Sequence, residues 1–185
     1  MFKKIDCELG SLNLEKLKGK LFEDHKTFVM FDISDWEYLK SILSKRLKFN
    51  IDPVKVAVIE IAERGLRPHT DGYVGCSLNY IIEDTESYTV FWKKIDSTGR
   101  IPNLKKTLDG KVTTTETTGY NYRDLEYVTS FKSTVNDMYL IDVSSIHSVE
   151  KYKSSVKRKL LSFRWDPKYS LDEIYSSIEL LYEVE

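Results

Sequence analysis

Arg67-Pro68-His69-Thr70-Asp71-Gly72 is the stretch on which the reading of this chain turns. In an extended strand, successive side chains point to opposite faces, so residues two apart share a face. His69 and Asp71 therefore aim an imidazole and a carboxylate at one point. A distant imidazole, His147, would complete a set of two histidines and one carboxylate. The chain has three histidines in all; the third, His25, sits in a charged stretch that reads as surface. Each of the three residues also has a plainer reading. Asp71 before Gly72 suits a simple turn, His69 a strand end, and His147 a core position bonded to a backbone carbonyl.

Around this stretch the texture is β. Before it, Val56, Val58, Ile59 and Ile61 form a short β-branched run, and Glu63-Arg64-Gly65 reads as a turn. After it, Cys76-Ser77-Leu78-Asn79-Tyr80-Ile81-Ile82 predicts a strand. An acidic turn at Glu83, Asp84 and Glu86 leads to a further strand, Tyr88-Thr89-Val90-Phe91-Trp92. Such closely spaced strands point to an antiparallel meander rather than to βαβ crossovers. Residues 93 to 124, with Gly99, Pro102, Gly110, Gly119 and threonines from Thr113 to Thr118, read as a hairpin or long loop. Tyr120, Tyr122 and Arg123 there are candidates for substrate contact, with ordinary surface aromatics as the alternative. Strand signals return over Leu125 to Phe131 and over Met138 to Val143, which follows an Asn136-Asp137 turn. They continue around His147 and, after a polar hairpin at 151 to 155, from Arg158 to Trp165.

The ends of the chain read as helical. Leu12, Leu14, Leu17 and Leu21 recur at near-helical spacing. A second helix, capped by Asp32 or Ser34, runs through Trp36, Leu39, Ile42, Leu43 and Leu47 as one apolar stripe. A last helix starts at Ser170 and runs to the C-terminus, with Ile174, Ile178 and Leu181 as its stripe. The 185 residues are most simply a single domain, with a helical lead-in over 1–52, a strand-rich core over 53–166 and a helix over 167–185.

The composition narrows the function classes. The net charge of -1 gives no support for a nucleic-acid partner or an anionic membrane. No apolar run approaches the ~20 residues needed to span a bilayer. Two cysteines, Cys7 and Cys76, are too few for a disulfide framework, so a cytoplasmic location is expected.

The pattern as a whole resembles the iron(II)- and 2-oxoglutarate-dependent dioxygenases. The resemblance rests on His69-Thr70-Asp71, the distant His147 and Arg158, which follows His147 by 11 residues. Pro68-His69-Thr70-Asp71 is similar to the first metal motif of the prolyl-hydroxylase-like branch. Asn136-Asp137-Met138-Tyr139-Leu140-Ile141-Asp142 with Ile146-His147-Ser148-Val149 is similar to its second. The resemblance covers residues 55 to 166. It implies an α+β, mainly β fold: a double-stranded β-helix, or jelly roll, with N-terminal helices packed on it and a C-terminal helix. It also implies that His69, Asp71 and His147 hold Fe(II), and that Arg158 pairs with the distal carboxylate of 2-oxoglutarate.

The residue types suit that chemistry. Two imidazoles and one carboxylate suit Fe(II) and leave positions open for other ligands, and a guanidinium offers a planar fork to a carboxylate. Arg158, Leu160, Ser162 and Arg164 share one strand face, opposite Lys159, Leu161, Phe163 and Trp165. Arg164 is therefore the fallback anchor for the cosubstrate.

Two positions depart from the branch. Leu160 stands where many members have Ser or Thr, and Ile59-Glu60-Ile61 stands where many carry a Tyr. Asn79 is the candidate for a replacement hydrogen bond to 2-oxoglutarate, and Trp92 for lining the pocket or the core. The activity implied is hydroxylation of a peptidyl or amino-acid side chain, using dioxygen and releasing succinate and carbon dioxide. The partner could be a peptide, a protein or a small molecule. The alternatives are a cupin-like metal-binding protein that uses no 2-oxoglutarate and a non-catalytic jelly-roll interaction module.

Overall fold

The computed structural model describes residues 1–7, 9, 12, 21–24, 28–33, 36–62, 65–72, 74–83, 86–95, 101–106, 112–151 and 158–181. Two sheets face each other. The strand run around the metal motif forms β5 (Lys55–Ile61), β6 (Leu66–Thr70), β7 (Cys76–Glu83) and β8 (Ser87–Lys94). The later run forms β11 (Leu125–Lys132), β12 (Met138–Asp142), β13 (His147–Lys151) and β14 (Arg158–Trp165). Between them, β9 (Ile101–Lys106) and β10 (Val112–Gly119) pair as a hairpin, one of the two forms expected for the irregular middle of the chain.

These strands do not form the meander expected from their spacing. β5, β7, β12 and β14 lie in a seven-stranded sheet, and β6, β8, β11 and β13 in a six-stranded one. The chain crosses from sheet to sheet at almost every step, and these pairings are antiparallel. That alternation is the jelly roll. The physical reason is burial: each strand carries apolar residues that only a facing layer can cover.

Among the described residues of the lead-in, three strands join the seven-stranded sheet. β1 (Phe2–Ile5) extends the seven-stranded sheet at one edge by pairing with β12. β2 (Leu21–Asp24) and β3 (Phe28–Asp32) extend it at the other, β3 against β5. Leu14 and Leu17 of the expected first helix lie outside the described residues, as does His25, and Leu21 begins β2 instead. Leu21 is drawn into β2 because pairing with β3 satisfies its backbone groups, and tertiary pairing overrides local propensity. The second expected helix is present as α1 (Trp36–Leu43), but Leu47 has left it for the short strand β4 (Leu47–Phe49).

The last helix, α2 (Leu171–Ser177), starts where the sequence places it. Ser170 caps it in a reciprocal capping box with Glu173. It stops at Ser177 rather than continuing. Ile178 is extended and opens β15 (Ile178–Leu180), which pairs with β4.

The seven-stranded sheet is covered on both faces. One face packs Val58, Leu78, Leu161, Phe163 and Trp165 against Leu39, Leu43, Leu47 and Ile174. Phe49 lies 5.2 Å from the Phe163 ring and 5.5 Å from that of Trp165, whose indole N–H donates to the Ile51 carbonyl at 2.9 Å. The other face meets the six-stranded sheet through Phe91, Phe131, Tyr139, Ile141 and Val143 at one place, and Ile61, Ile81, Val149 and Leu160 at another.

Gly65 fixes how β6 meets β13. It has a φ of +69°, and a Cβ there would lie 2.0 Å from the Val149 carbonyl oxygen. Only glycine fits, because it tolerates the left-handed conformation and carries no Cβ.

Candidate metal centre

β6 and β13 are neighbours in the six-stranded sheet, and His69 lies directly across from His147. Between this pair and the Val149–Leu66 pair, two residues of β6, Arg67 and Pro68, oppose one of β13, Ser148. This bulge lets Leu66 and His69 both face inward although they are three apart. The two imidazoles sit with ring centroids 4.4 Å apart. Asp71 lies just past the end of β6, its N–H donating to the Val143 carbonyl at 2.9 Å. Its Oδ1 lies 3.5 Å from His69 Nε2. One ligand atom from each of His69, Asp71 and His147 lies within 4.8 Å of the others.

Both histidines are oriented in the same way. His69 Nδ1 is 2.7 Å from the Arg67 carbonyl, and His147 Nδ1 is 2.9 Å from the Ser145 carbonyl. A carbonyl only accepts, so each Nδ1 carries the proton and each Nε2 lone pair is left for a ligand. The Ser145 carbonyl is itself held in place. Asp142 accepts from the backbone N–H and the hydroxyl of both Ser144 and Ser145, folding the loop that leads into His147. Sequence reading passed over this role for Asp142; its signal is the Asp-x-Ser-Ser pattern, an Asx-type turn.

Charge at the site follows from burial and neighbours. Burial would raise the Asp71 carboxyl, but the Arg164 guanidinium and His69 outweigh it and hold the group well below the usual carboxylate range. Burial above all, then the neighbouring His69, pulls His147 down to about 4. At neutral pH the cluster therefore presents an anionic carboxylate and a neutral His147. This is a donor set that fits a divalent first-row ion, with three protein ligands and open positions.

The other expected site residues are spread along the interior. Arg164 reaches across from the seven-stranded sheet to pair with Asp71 Oδ2. Arg158, at the far end of the same face of β14, is 2% exposed, and its guanidinium donates to Thr89 Oγ1 at 3.1 Å. Thr89 lies two residues along β8 from Phe91, which pairs with His147. That is about 7 Å of strand.

Asn79 is also buried. Ser77 Oγ donates to Asn79 Oδ1 at 2.8 Å and is 2.7 Å from Ser162 Oγ, so Ser162 supplies the hydrogen in the second bond. Leu160 is buried among Ile61, Ile81 and Val149, and Glu60 pairs with Lys159 at 3.2 Å.

Trp92 turns away from the interior, since its strand neighbour Phe91 points in. Its indole N–H donates to Ser148 Oγ at 2.8 Å, and its ring meets Tyr122 and Tyr127 edge-on. Tyr122 also donates to Glu150 at 2.7 Å, and Arg123 is exposed beside Asp124. Tyr120 sits closer to the cluster. Its N–H donates to the Pro68 carbonyl, continuing the β10–β6 ladder in which Gly119 lies opposite His69.

No family model matches the chain, and no curated protein matches it. Solved structures do resemble it. An oxalate decarboxylase from Bacillus subtilis is 13% identical, with a TM-score of 0.40 over 80% of this chain and 28% of that one. A vicilin from Capsicum annuum is 14% identical, with a TM-score of 0.42 over 81% and 31%. The formate complex of Lactobacillus farciminis oxalate decarboxylase is 13% identical, with a TM-score of 0.41 over 85% and 33%. The chain thus spans about a third of the length of these proteins. At such identities and scores the likeness carries no functional argument, and the jelly roll stands on the strand order itself.

Proposed function

We propose that this chain is an iron(II)- and 2-oxoglutarate-dependent dioxygenase that hydroxylates a peptidyl or amino-acid side chain. The observation that carries the reading is the convergence of His69, Asp71 and His147 within 4.8 Å, with both Nδ1 atoms tied to backbone carbonyls. A bound Fe(II) supplies the activation of dioxygen that is coupled to decarboxylation of the oxo acid.

The protein residues do the rest. His69, Asp71 and His147 would hold the ion, and three protein ligands would leave it positions for others. Arg158 offers a buried guanidinium to the distal carboxylate of the oxo acid, and Thr89 holds that guanidinium. The Ser77–Asn79–Ser162 group gives the inner wall hydrogen-bonding capacity that an apolar wall would lack. Phe91, 6.3 Å from the His147 ring, and its aromatic neighbours help keep water out.

Anaerobic titration of the chain with Fe(II) and then 2-oxoglutarate tests the reading. The expected result is a visible metal-to-ligand charge-transfer band that saturates with the oxo acid. Metal uptake without any binding of the oxo acid would leave the cupin-like metalloprotein instead. Absence of metal uptake would leave the non-catalytic module.

A further inference from the structure

We infer that Arg164 is the positioning residue for Asp71: its guanidinium holds Oδ2 and so leaves Oδ1 for an ion shared with His69 and His147. The inference deepens the metal-centre reading and rests on it. Each histidine has a backbone carbonyl that fixes its ring, Arg67 for His69 and Ser145 for His147. Asp71 lies past the end of β6, and its carboxylate torsion is a broad, roughly two-fold well that the strand does not set. Arg164 supplies the missing constraint from the opposite sheet. With Oδ2 taken by the guanidinium, Oδ1 is the oxygen that faces His69 Nε2, at 3.5 Å.

The rest of the guanidinium shows what it is placed for. Its Nε is buried with no hydrogen-bond partner among the described residues, and its Nη1 meets only Met30 Sδ there, a weak acceptor at 3.9 Å. Burying a guanidinium so poorly satisfied costs free energy. Among the described residues Asp71 is the strong partner that offsets the cost, so the arginine is organised around that carboxylate. Arginine suits this role better than lysine, because its charge persists at any working pH and its donors have fixed directions. The assignment also separates the two arginines of β14. Arg158 lies six residues away along the strand, roughly 20 Å, and is left as the anchor for the oxo acid.

The test is Mn(II) binding, followed by calorimetry and by the electron paramagnetic resonance line shape of the bound ion. It compares the wild type, Arg164→Met and Arg164→Lys. Loss of a group that orients a metal ligand costs ~10- to 100-fold in affinity, and Arg164→Met is expected to fall in that range with an altered line shape. Arg164→Lys is expected to lie between the two. With Mn(II) saturating, 2-oxoglutarate affinity is expected to stay within about threefold of wild type, well under the tenfold that 1.4 kcal/mol represents.

Unchanged or tighter Mn(II) binding in Arg164→Met overturns the inference. The same holds for a change confined to 2-oxoglutarate affinity, which would make Arg164 the anchor. If Arg164→Met does not fold, wild-type affinity and line shape in Arg164→Lys overturn it. A wild type that binds Mn(II) but not 2-oxoglutarate overturns the proposed activity and leaves the positioning role intact. A wild type that binds no divalent ion overturns both.

Discussion

The two faces of β14 differ in chemistry, with Leu160 the one apolar residue on the inner face. Outward, Leu161, Phe163 and Trp165 are fully buried beneath the helices and β4. Inward, Arg158, Ser162 and Arg164 are placed between the sheets, where charges and hydroxyls are expensive to bury. An interior built for stability alone would be apolar on both faces. The difference places the aromatic packing of this strand against the helices and its charged and hydroxyl groups between the sheets. The inner polar groups divide by partner, with Arg164 on Asp71, Ser162 in the Ser77–Asn79 group, and Arg158 on Thr89.

The outer face should dominate folding. Phe163→Ala removes a fully buried ring from the cluster that joins Phe49, Leu39 and Ile174, and about 3–5 kcal/mol of stability is the expected loss. Chemical denaturation measures it. Mn(II) affinity of the folded fraction should stay within about twofold, a small fraction of the tenfold per 1.4 kcal/mol scale. A large loss of metal affinity with little loss of stability would break the division between the faces.

The inner face should dominate ligand binding. A charge-assisted pair between Arg158 and a carboxylate is worth about 2–4 kcal/mol in a partly dry pocket, much of it the cost of leaving a partner unpaired. Arg158→Ala should therefore weaken 2-oxoglutarate by ~30- to 1000-fold with Fe(II) present, and hardly alter Fe(II) uptake. Equal affinity in the variant and the wild type would remove Arg158 from the cosubstrate site.

The smallest effect sharpens the comparison. Ser162→Ala deletes one hydrogen bond to Ser77, expected to cost about 1 kcal/mol of stability. Ser77→Ala breaks the bonds to both Ser162 and Asn79 and should cost more. If Ser162→Ala stabilises the protein, the hydroxyl is retained at a cost, which points to contact with a ligand rather than to folding.

Much of this was legible in the sequence because it depends on local geometry. The period of two in a strand put Arg158, Ser162 and Arg164 on one face and Leu161, Phe163 and Trp165 on the other. Ser170 and Glu173 marked the start of α2 because the capping box is complete within four residues. The spacing of His69 and Asp71 placed two ligating groups together before any pairing was known.

What only the tertiary structure decided involves partners far apart in the chain. His147 reaches His69 through the β6–β13 register, with its bulge and the close approach at Gly65. β1 and β3 are strands because β12 and β5 offer them hydrogen-bond partners from distant parts of the chain. β15 ended α2 early because β4 was there to pair with it. Arg164 pairs with Asp71 because the two sheets bring that carboxylate within its reach. Local patterns follow from the backbone dihedrals and side-chain direction of a few consecutive residues. Register, sheet edges and cross-sheet ion pairs depend on how all the strands satisfy one another at once, and a linear pattern does not carry that information.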